Sequence, residues 1–282
     1  PAVPEAKPAL VSALQDLNLV SQIQHTKLLG VLLSSDEKRV LTWSENGSVR
    51  LWNTKTAQPI GQDMKHETKV TGAVFSPDQT QILSWSIDGT AKLWDAYTTA
   101  PIEKPMQHEG WVKGAIFSED QRYILSWTYS GTLRLWDAQT TQAIGHPMQH
   151  DDFVIEAVFS KKQDRILSWG GGHTLRLWDV KTTQGFGQPL QHEGTVTGAT
   201  FSTDQRHVLS WSLDGTARLW NAQTTHAIGQ PMQHERAVKG ATFSIDQTRI
   251  LSWSDDSTVR LWDSYNTPVS YTHLRAHETT LD

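Results

Sequence analysis

The chain consists largely of short runs in which apolar and polar residues alternate, separated by turn residues. Between His66 and Asp95 this alternation predicts strands at Lys69–Phe75, Gln81–Trp85 and Thr90–Trp94. The sequences Ser76-Pro77-Asp78-Gln79 and Asp88-Gly89 are typical of the turns between them. A weaker fourth strand is predicted at Pro101–Met106. We therefore expect a unit of four short antiparallel strands whose sheet is apolar on both faces.

The same pattern returns every 42 residues. It is most visible in the sequence Leu-Trp-Asp/Asn, whose tryptophans are Trp52, Trp94, Trp136, Trp178, Trp220 and Trp262. A second series with the same period consists of Trp43, Trp85, Trp127, Trp169, Trp211 and Trp253. A fixed period of this size indicates one supersecondary unit copied in tandem. Trp111 is the one tryptophan outside both series.

With these residues and this spacing, the chain resembles the WD-repeat (WD-40) β-propeller family, in particular its bacterial-type tandem repeats. The resemblance implies an all-β fold, a β-propeller of four-stranded antiparallel blades. Six blades are visible over residues 17–266, and a native count of seven or more is the alternative. Residues 1–16 are interpreted as a linker or frayed lead-in.

The last part of the chain, residues 267–282, breaks the repeat register. Residues 269–279 read VSYTHLRAHET, and all of them match one reading frame of a transposase-type sequencing adapter. We interpret this segment as a non-native tail, with an ordinary polar tail as the alternative. The natural protein is then expected to continue beyond the sixth copy.

In the WD-repeat family a hydrogen-bonded tetrad of His, Ser or Thr, Asp and Trp ties each blade together. The resemblance assigns complete tetrads to blade two (His66, Ser84, Asp88, Trp94), blade five (His192, Ser210, Asp214, Trp220) and blade six (His234, Ser252, Asp256, Trp262). Blade one has His25, Thr42, Asn46 and Trp52, whereas blade three has Ser130 and blade four has Gly172 in place of the acid. These histidines are interpreted as structural, because they lie in six different blades and cannot converge on a metal. We expect Gly172→Asp to stabilise blade four by restoring the acid.

The N-terminal segment offers one way to close the ring. Residues 18–25 resemble the stretch that ends at His234, so Leu19–Ile23 is predicted to be a fourth strand with no blade of its own before it. In the family such a strand joins the last three strands and seals the ring, which protects the strand edges. A closed ring of six blades is therefore one expectation.

Positions at which the copies differ are the candidates for function. Blades three and four differ most, since Trp111, Lys113, Tyr129, Phe153 and Ile155 fall at positions that the family places on one rim. Blade four also has Glu156 where other copies have glycine, and Gly170-Gly171-Gly172-His173 at its hairpin. Exposed aromatic residues beside charges are typical of protein-binding surfaces. The alternative is that these aromatic rings pack against their own loops.

The composition favours a binding module. The net charge is −5 with acids and bases interspersed, which points to neither nucleic acid nor a membrane surface. No cysteine is present, which weakly favours the cytoplasm. No catalytic constellation, phosphate loop, cofactor site or metal site is visible. We expect a monomeric, non-catalytic scaffold that binds a protein or peptide, or else the sensor region of a larger signalling protein with an NTPase, kinase or protease domain. An enzyme that uses the propeller channel and a purely structural or designed array are the remaining alternatives.

Overall fold

A computed structural model describes residues 22–264, which form six antiparallel sheets, each with its strands in chain order. We number the sheets as blades one to six. Their strands are as follows: blade one, β1 (Leu28–Leu33), β2 (Arg39–Ser44), β3 (Ser48–Asn53) and β4 (Pro59–Lys65); blade two, β5 (Val70–Phe75), β6 (Gln81–Ser86), β7 (Thr90–Asp95) and β8 (Pro101–Gln107); blade three, β9 (Val112–Phe117), β10 (Tyr123–Thr128), β11 (Thr132–Asp137) and β12 (Ala143–Gln149); blade four, β13 (Val154–Phe159), β14 (Arg165–Gly170), β15 (Thr174–Asp179) and β16 (Gly185–Gln191); blade five, β17 (Val196–Phe201), β18 (His207–Ser212), β19 (Thr216–Asn221) and β20 (Ala227–Gln233); blade six, β21 (Val238–Phe243), β22 (Arg249–Ser254) and β23 (Val259–Asp263). The prediction of an all-β propeller of four-stranded blades is confirmed. No helix within residues 22–264 is long and apolar enough to span a membrane.

Polar side chains in the turns explain why the strands end where they do. In blade two, Ser76 Oγ donates to Asp78 Oδ1 at 2.6 Å and accepts from Gln81 N at 2.9 Å, which closes the first turn. At the third turn, Asp95 Oδ1 accepts from Tyr97 N and Thr98 N at 2.9 and 2.7 Å. Side chains that satisfy backbone N–H groups in this way favour a turn over a continued strand.

The core lies between the blades. The second strand of each blade packs on the first strand of the next, and first strands of successive blades also lie side by side, so the first strands surround the centre of the propeller. The second tryptophan series contributes to these contacts: Trp85 Nε1 in blade two donates to Lys113 O in blade three at 3.1 Å. Buried leucine, isoleucine, valine and tryptophan side chains fill each junction.

The two ends of the blade array differ from its interior. Within residues 22–264, blade six has three strands and its outer face is exposed, as is the outer face of blade one. The predicted closing strand, Leu19–Ile23, lies mostly outside the described residues, and its described members, Gln22 and Ile23, are not in a strand. The lead-in at residues 1–16 and the tail at 267–282 also lie outside them. Closure of a six-bladed ring by Leu19–Ile23 therefore stays a prediction.

Candidate functional site

A repeated backbone hydrogen bond defines one rim of the propeller. In every blade the residue before the hairpin acid position donates its N–H to the carbonyl of the residue before the first strand. The pairs are Glu45 to Lys27, Ile87 to Lys69, Tyr129 to Trp111, Gly171 to Phe153, Leu213 to Thr195 and Asp255 to Ala237, at 2.9 to 3.1 Å. The residues before the hairpin acid position and those before the first strand therefore lie on the same rim.

A β-bulge brings the second residue of the first strand to this rim as well. In blade three, Val112 pairs with Thr128 and Gly114 pairs with Trp127, so Lys113 between them has no partner across the sheet. The same interruption occurs at Ile155 in blade four. A bulge bends the strand and changes the direction of the unpaired side chain.

Four of the five predicted binding residues form one group, which we call the aromatic cluster: Trp111, Lys113, Tyr129 and Phe153. The side chains of Trp111, Tyr129 and Phe153 are 59%, 48% and 38% exposed. The rings of Trp111 and Tyr129 meet edge to face with centroids 6.4 Å apart. Lys113 Nζ lies 5.5 Å from the Tyr129 ring centroid and 5.4 Å from that of Phe153. The fifth residue, Ile155, is partly buried and packs against the core between blades four and five.

The environment of Lys113 is partly apolar. Burial lowers the pKa of Lys113 below its usual value, and the nearby Glu156 carboxylate opposes this effect. Its contacts with two ring faces are cation–π interactions, each worth roughly 0.5–2 kcal/mol. Lys113 therefore holds the rings of blades three and four together across the junction between these blades.

The glycines at the blade-four hairpin make room for Phe153. A Cβ added at Gly171 would overlap the Phe153 ring, and one at Gly170 would overlap the Phe153 carbonyl. A side chain at either position would therefore force Phe153 away from Lys113. The unusual hairpin sequence and the exposed aromatic ring belong to one arrangement.

The complete tetrads show how a regular blade is tied together. In blade two, Trp94 Nε1 donates to Ser84 Oγ at 2.8 Å, Ser84 lies 2.8 Å from His66 Nε2, and His66 Nδ1 lies 3.1 Å from Asp88 Oδ2. Asp88 also accepts from the Thr90 hydroxyl at 2.7 Å. Burial disfavours the Asp88 carboxylate, but the hydrogen bonds from His66 and Thr90 outweigh it and hold the pKa of Asp88 below its usual range. Blades five and six repeat these bonds through Asp214 and Asp256.

The threonine that completes each network was not predicted. Thr90, Thr216 and Thr258 each donate to the blade's aspartate and lie within 3.1 Å of its histidine. The signal was present in the sequence, because a threonine follows the acid position by two residues in five of the copies. Blade one has Ser48 there, and it joins His25 to Asn46 with bonds of 2.6 and 2.7 Å.

The other blades lack part of this network. In blade three, His108 Nε2 lies 2.7 Å from Ser126 Oγ, but its buried Nδ1 has no hydrogen-bond partner and Ser130 bonds Thr128 instead. Burial lowers the pKa of His108 to about 4. His150 in blade four bonds Ser168 at 2.7 Å, and burial lowers its pKa to about 4 as well.

Two further features bear on the choice of site. A cavity of about 610 Å³ lies at the far ends of the first strands in blades three to five, lined among others by Phe117, Phe159 and Phe201. It is on the face opposite the aromatic cluster. Within the described residues 22–264, no group of three or more histidine, aspartate or glutamate side chains is placed to hold a metal ion.

The WD domain, G-beta repeat family model matches residues 58–95, 101–137, 187–221 and 228–263, which together make up more than half of the chain. The chain belongs to the WD-repeat family. The matched segments pass over residues 138–186, which contain strands β13 to β15 of blade four, and over residues 1–57, which contain strands β1 to β3 of blade one. WD repeats generally mediate protein–protein interaction, and propellers built from them are typically non-catalytic scaffolds.

Solved structures also resemble this WD-repeat chain. One is the crystal structure of the computationally designed Ika8 protein, a repeat propeller, with a TM-score of 0.70 and 24% sequence identity. The similarity covers 90% of this chain and 75% of that chain. The comparison with curated proteins found no match.

Proposed function

We propose that this WD-repeat propeller is a non-catalytic scaffold that binds a peptide or protein loop at the aromatic cluster, with Trp111 and Phe153 as anchors. The observation that carries the proposal is three exposed aromatic rings, from two adjacent blades, held together by one lysine. Tryptophan and tyrosine dominate the binding energy of protein interfaces because they bury large apolar areas with few rotatable bonds.

The charges around the cluster indicate which segments bind. Glu109, Asp152 and Glu156 are exposed near the rings, and Asp151 is paired with Arg176 at 2.9 Å. Lys113, the cluster's own cation, already faces two of the rings. An apolar or aromatic residue flanked by arginine or lysine complements this surface.

The test is a selection from a displayed random-peptide library on the immobilised protein, followed by affinity measurements with the selected peptides. We expect Trp111→Ala/Phe153→Ala to weaken binding by more than about 30-fold, which is the loss that truncation of a single anchor worth about 2 kcal/mol already causes. The matched control is Tyr97→Ala, which removes an exposed aromatic ring from the opposite face and leaves binding unchanged. Peptides that bind the double variant as tightly as the original protein would refute the proposal.

A stability measurement excludes the trivial explanation that the double variant unfolds. Both side chains are substantially exposed, so we expect the Tm to change by no more than about 3 °C. A larger decrease would mean that the rings serve the blade junction rather than a partner.

A further inference from the structure

Blade six shows which groups surround a carboxylate at the hairpin of a complete blade. Asp256 Oδ2 lies 3.0 Å from His234 Nδ1 and accepts from Glu235 N at 3.0 Å. Asp256 Oδ1 accepts from Thr258 N at 2.9 Å and from the Thr258 hydroxyl at 2.6 Å. The guanidinium of Arg260 lies 3.7 Å from Oδ2. Both carboxylate oxygens are therefore held by N–H and O–H groups, with a cation beside them.

Blade three keeps these groups but has no acid between them. The residues at the four surrounding positions are His108, Glu109, Thr132 and Arg134. Ser130 takes the position of the aspartate, and its Oγ bonds the Thr128 hydroxyl at 2.8 Å instead of the histidine. Ser130 is also exposed, so the histidine can be approached from solvent at this point. Blade three thus retains the surroundings of a carboxylate without supplying the carboxylate.

The unpaired atom of His108 is a hydrogen-bond donor. Ser126 Oγ accepts from Trp136 Nε1 at 2.7 Å, so its own hydrogen is directed to His108 Nε2, which lies 2.7 Å away. Burial keeps His108 neutral at pH 7, since its pKa is about 4. A neutral imidazole that accepts at Nε2 carries its proton at Nδ1. The buried Nδ1–H therefore has no acceptor within residues 22–264, and a ligand that accepts from it removes the cost of leaving it unpaired.

Arg134 makes this place favourable for a negative charge. The arginines at the same position of blades one, four and six form ion pairs, with Asp63, Asp151 and Asp256. Arg134 lies over the Trp136 ring, 5.9 Å from its centroid, and has no ion-pair partner in the part of the chain that the structure describes. Burial and the charge of Arg134 both lower the pKa of His108. The nearby unbalanced charge is therefore positive.

Blade four lacks the acid as well but does not offer the same surroundings. A Cβ added at Gly172 would lie 2.9 Å from Asp152 Cβ, so a carboxylate already stands beside this hairpin. Arg176, the equivalent of Arg134, is paired with Asp151. Because like charges repel, a second carboxylate is disfavoured in blade four. Of the two blades without the acid, blade three alone is suited to an anion.

We propose that the hairpin of blade three binds a carboxylate group, which takes the place that the aspartate side chain holds in the complete blades. One oxygen accepts from His108 Nδ1 and Glu109 N, and Arg134 balances the charge. The Thr132 hydroxyl, which donates to Gln149 Oε1 at 3.0 Å, turns to the second oxygen as Thr258 does in blade six. The group belongs to a small free acid or to an aspartate or glutamate side chain of a bound chain, because these share the same two acceptor oxygens.

The test is a titration of the full chain with formate at constant ionic strength, followed through the backbone amide signals in NMR spectra. We expect a saturable shift of the Glu109 and Thr132 signals. The dissociation constant is expected to be no tighter than about 1 mM, because a ligand of so few atoms has little binding energy. Glu67 in blade two, whose N–H already bonds Asp88, is the internal control and is expected not to shift. A linear shift of Glu109, or equal shifts of Glu67 and Glu109, would overturn the proposal.

A matched pair of substitutions shows whether formate occupies the place of the aspartate. Ser130→Asp supplies the carboxylate from the chain itself, so we expect it to abolish the formate-dependent shift of Glu109 and to raise the Tm. Ser130→Ala removes the hydroxyl without supplying an acceptor and is expected to bind formate as the original protein does. Arg134→Gln is expected to weaken formate binding about threefold through loss of an exposed charge contact. Formate binding that persists in Ser130→Asp would refute the assignment.

Two further measurements separate the source of the carboxylate and the relation to the aromatic cluster. The tripeptide Gly-Asp-Gly with blocked ends is compared with Gly-Asn-Gly, which is expected not to bind. Tighter binding of Gly-Asp-Gly than of formate assigns the site to a side chain of a bound chain, and equal or weaker binding assigns it to a free acid. Equal binding of the two peptides would contradict the need for a carboxylate. Trp111→Ala/Phe153→Ala is expected to leave formate binding unchanged, so this proposal and the peptide-binding function can fail independently.

Discussion

Blades two and five differ from blades three and four in how completely their buried polar groups are bonded. In blades two and five the histidine contacts a serine, an aspartate and a threonine. Within residues 22–264 the buried side-chain atoms without a hydrogen-bond partner are His108 Nδ1, Trp127 Nε1, Trp169 Nε1 and Arg176 Nε. All four lie in blades three and four, where the aromatic cluster also lies.

This difference indicates that blades three and four are less stable than blades two and five. A buried polar atom without a partner costs about 1–3 kcal/mol. The four atoms belong to the two blades that carry the exposed rings. Departures from a locally consistent pattern of this kind are expected at functional sites, since selection for binding there competes with selection for stability.

The largest expected effect comes from removing a histidine from a complete network. We expect His192→Ala to destabilise the protein by about 3–4 kcal/mol, because it leaves a cavity and a buried Asp214 carboxylate without its partner. His108→Ala removes a ring of the same size that bonds only Ser126, and we expect a loss of about 1–2 kcal/mol. Urea unfolding of the two variants checks the difference. Equal losses would show that the aspartate adds nothing to the network.

The glycine under the second tryptophan provides the next comparison. A Cβ added at Gly72 would overlap the Trp85 ring, so we expect Gly72→Ala in blade two to cost about 2 kcal/mol through overpacking. Blade four already has a side chain at this position, and Glu156 is exposed. Glu156→Ala is therefore expected to change stability by less than about 0.5 kcal/mol. Thermal unfolding measures both, and a neutral Gly72→Ala would show that the tryptophan moves freely.

A pH series sharpens the comparison of the histidines. The pKa of His108 is about 4 in the folded protein, whereas the ordinary value of 6.5 applies to the unfolded chain. The unfolded chain therefore binds more protons between these values, and stability falls as the pH decreases from 6.5 towards 4. Between pH 6.5 and 5 this histidine alone costs about 1–2 kcal/mol, and His108→Gln is expected to remove that loss.

The control for the pH series is His66→Gln in blade two. Burial lowers the pKa of His66, but the Asp88 carboxylate opposes the shift. His66→Gln is therefore expected to change the pH dependence of the free energy of unfolding less than His108→Gln does. The opposite order would mean that burial, rather than the missing acid, determines how these histidines titrate.

Much of the fold could be predicted from the period. The tryptophan series and the hairpin residues Asp88-Gly89 locate strands within one or two residues, because turn chemistry and strand alternation are local properties. The family resemblance added the rim on which Trp111 and Phe153 lie. The cation–π contacts of Lys113 could not be predicted, since they depend on a bulge and on the distance between two blades.

Closure of the ring after six blades stays a prediction, because the predicted closing strand, Leu19–Ile23, lies mostly outside residues 22–264. The likeness of residues 18–25 to later strands allowed closure after six blades, since a repeat pattern contains no information on the angle between units. The effect of Gly172 also needed the structure, because its neighbour is Asp152, from a loop distant in sequence.

The smallest expected effect tests whether blade four can be made regular. Restoring the acid by Gly172→Asp alone is now expected to destabilise by about 1 kcal/mol, since the new Cβ would lie 2.9 Å from Asp152 Cβ and the two carboxylates would repel each other. Blade two has Thr68 at the position of Asp152, and it coexists with Asp88. Asp152→Thr/Gly172→Asp is therefore expected to stabilise the protein by about 1 kcal/mol through a new bond to His150. The single variant Asp152→Thr is the control in urea unfolding. Stabilisation by Gly172→Asp alone would show that the missing acid, rather than the crowding at Asp152, limits blade four.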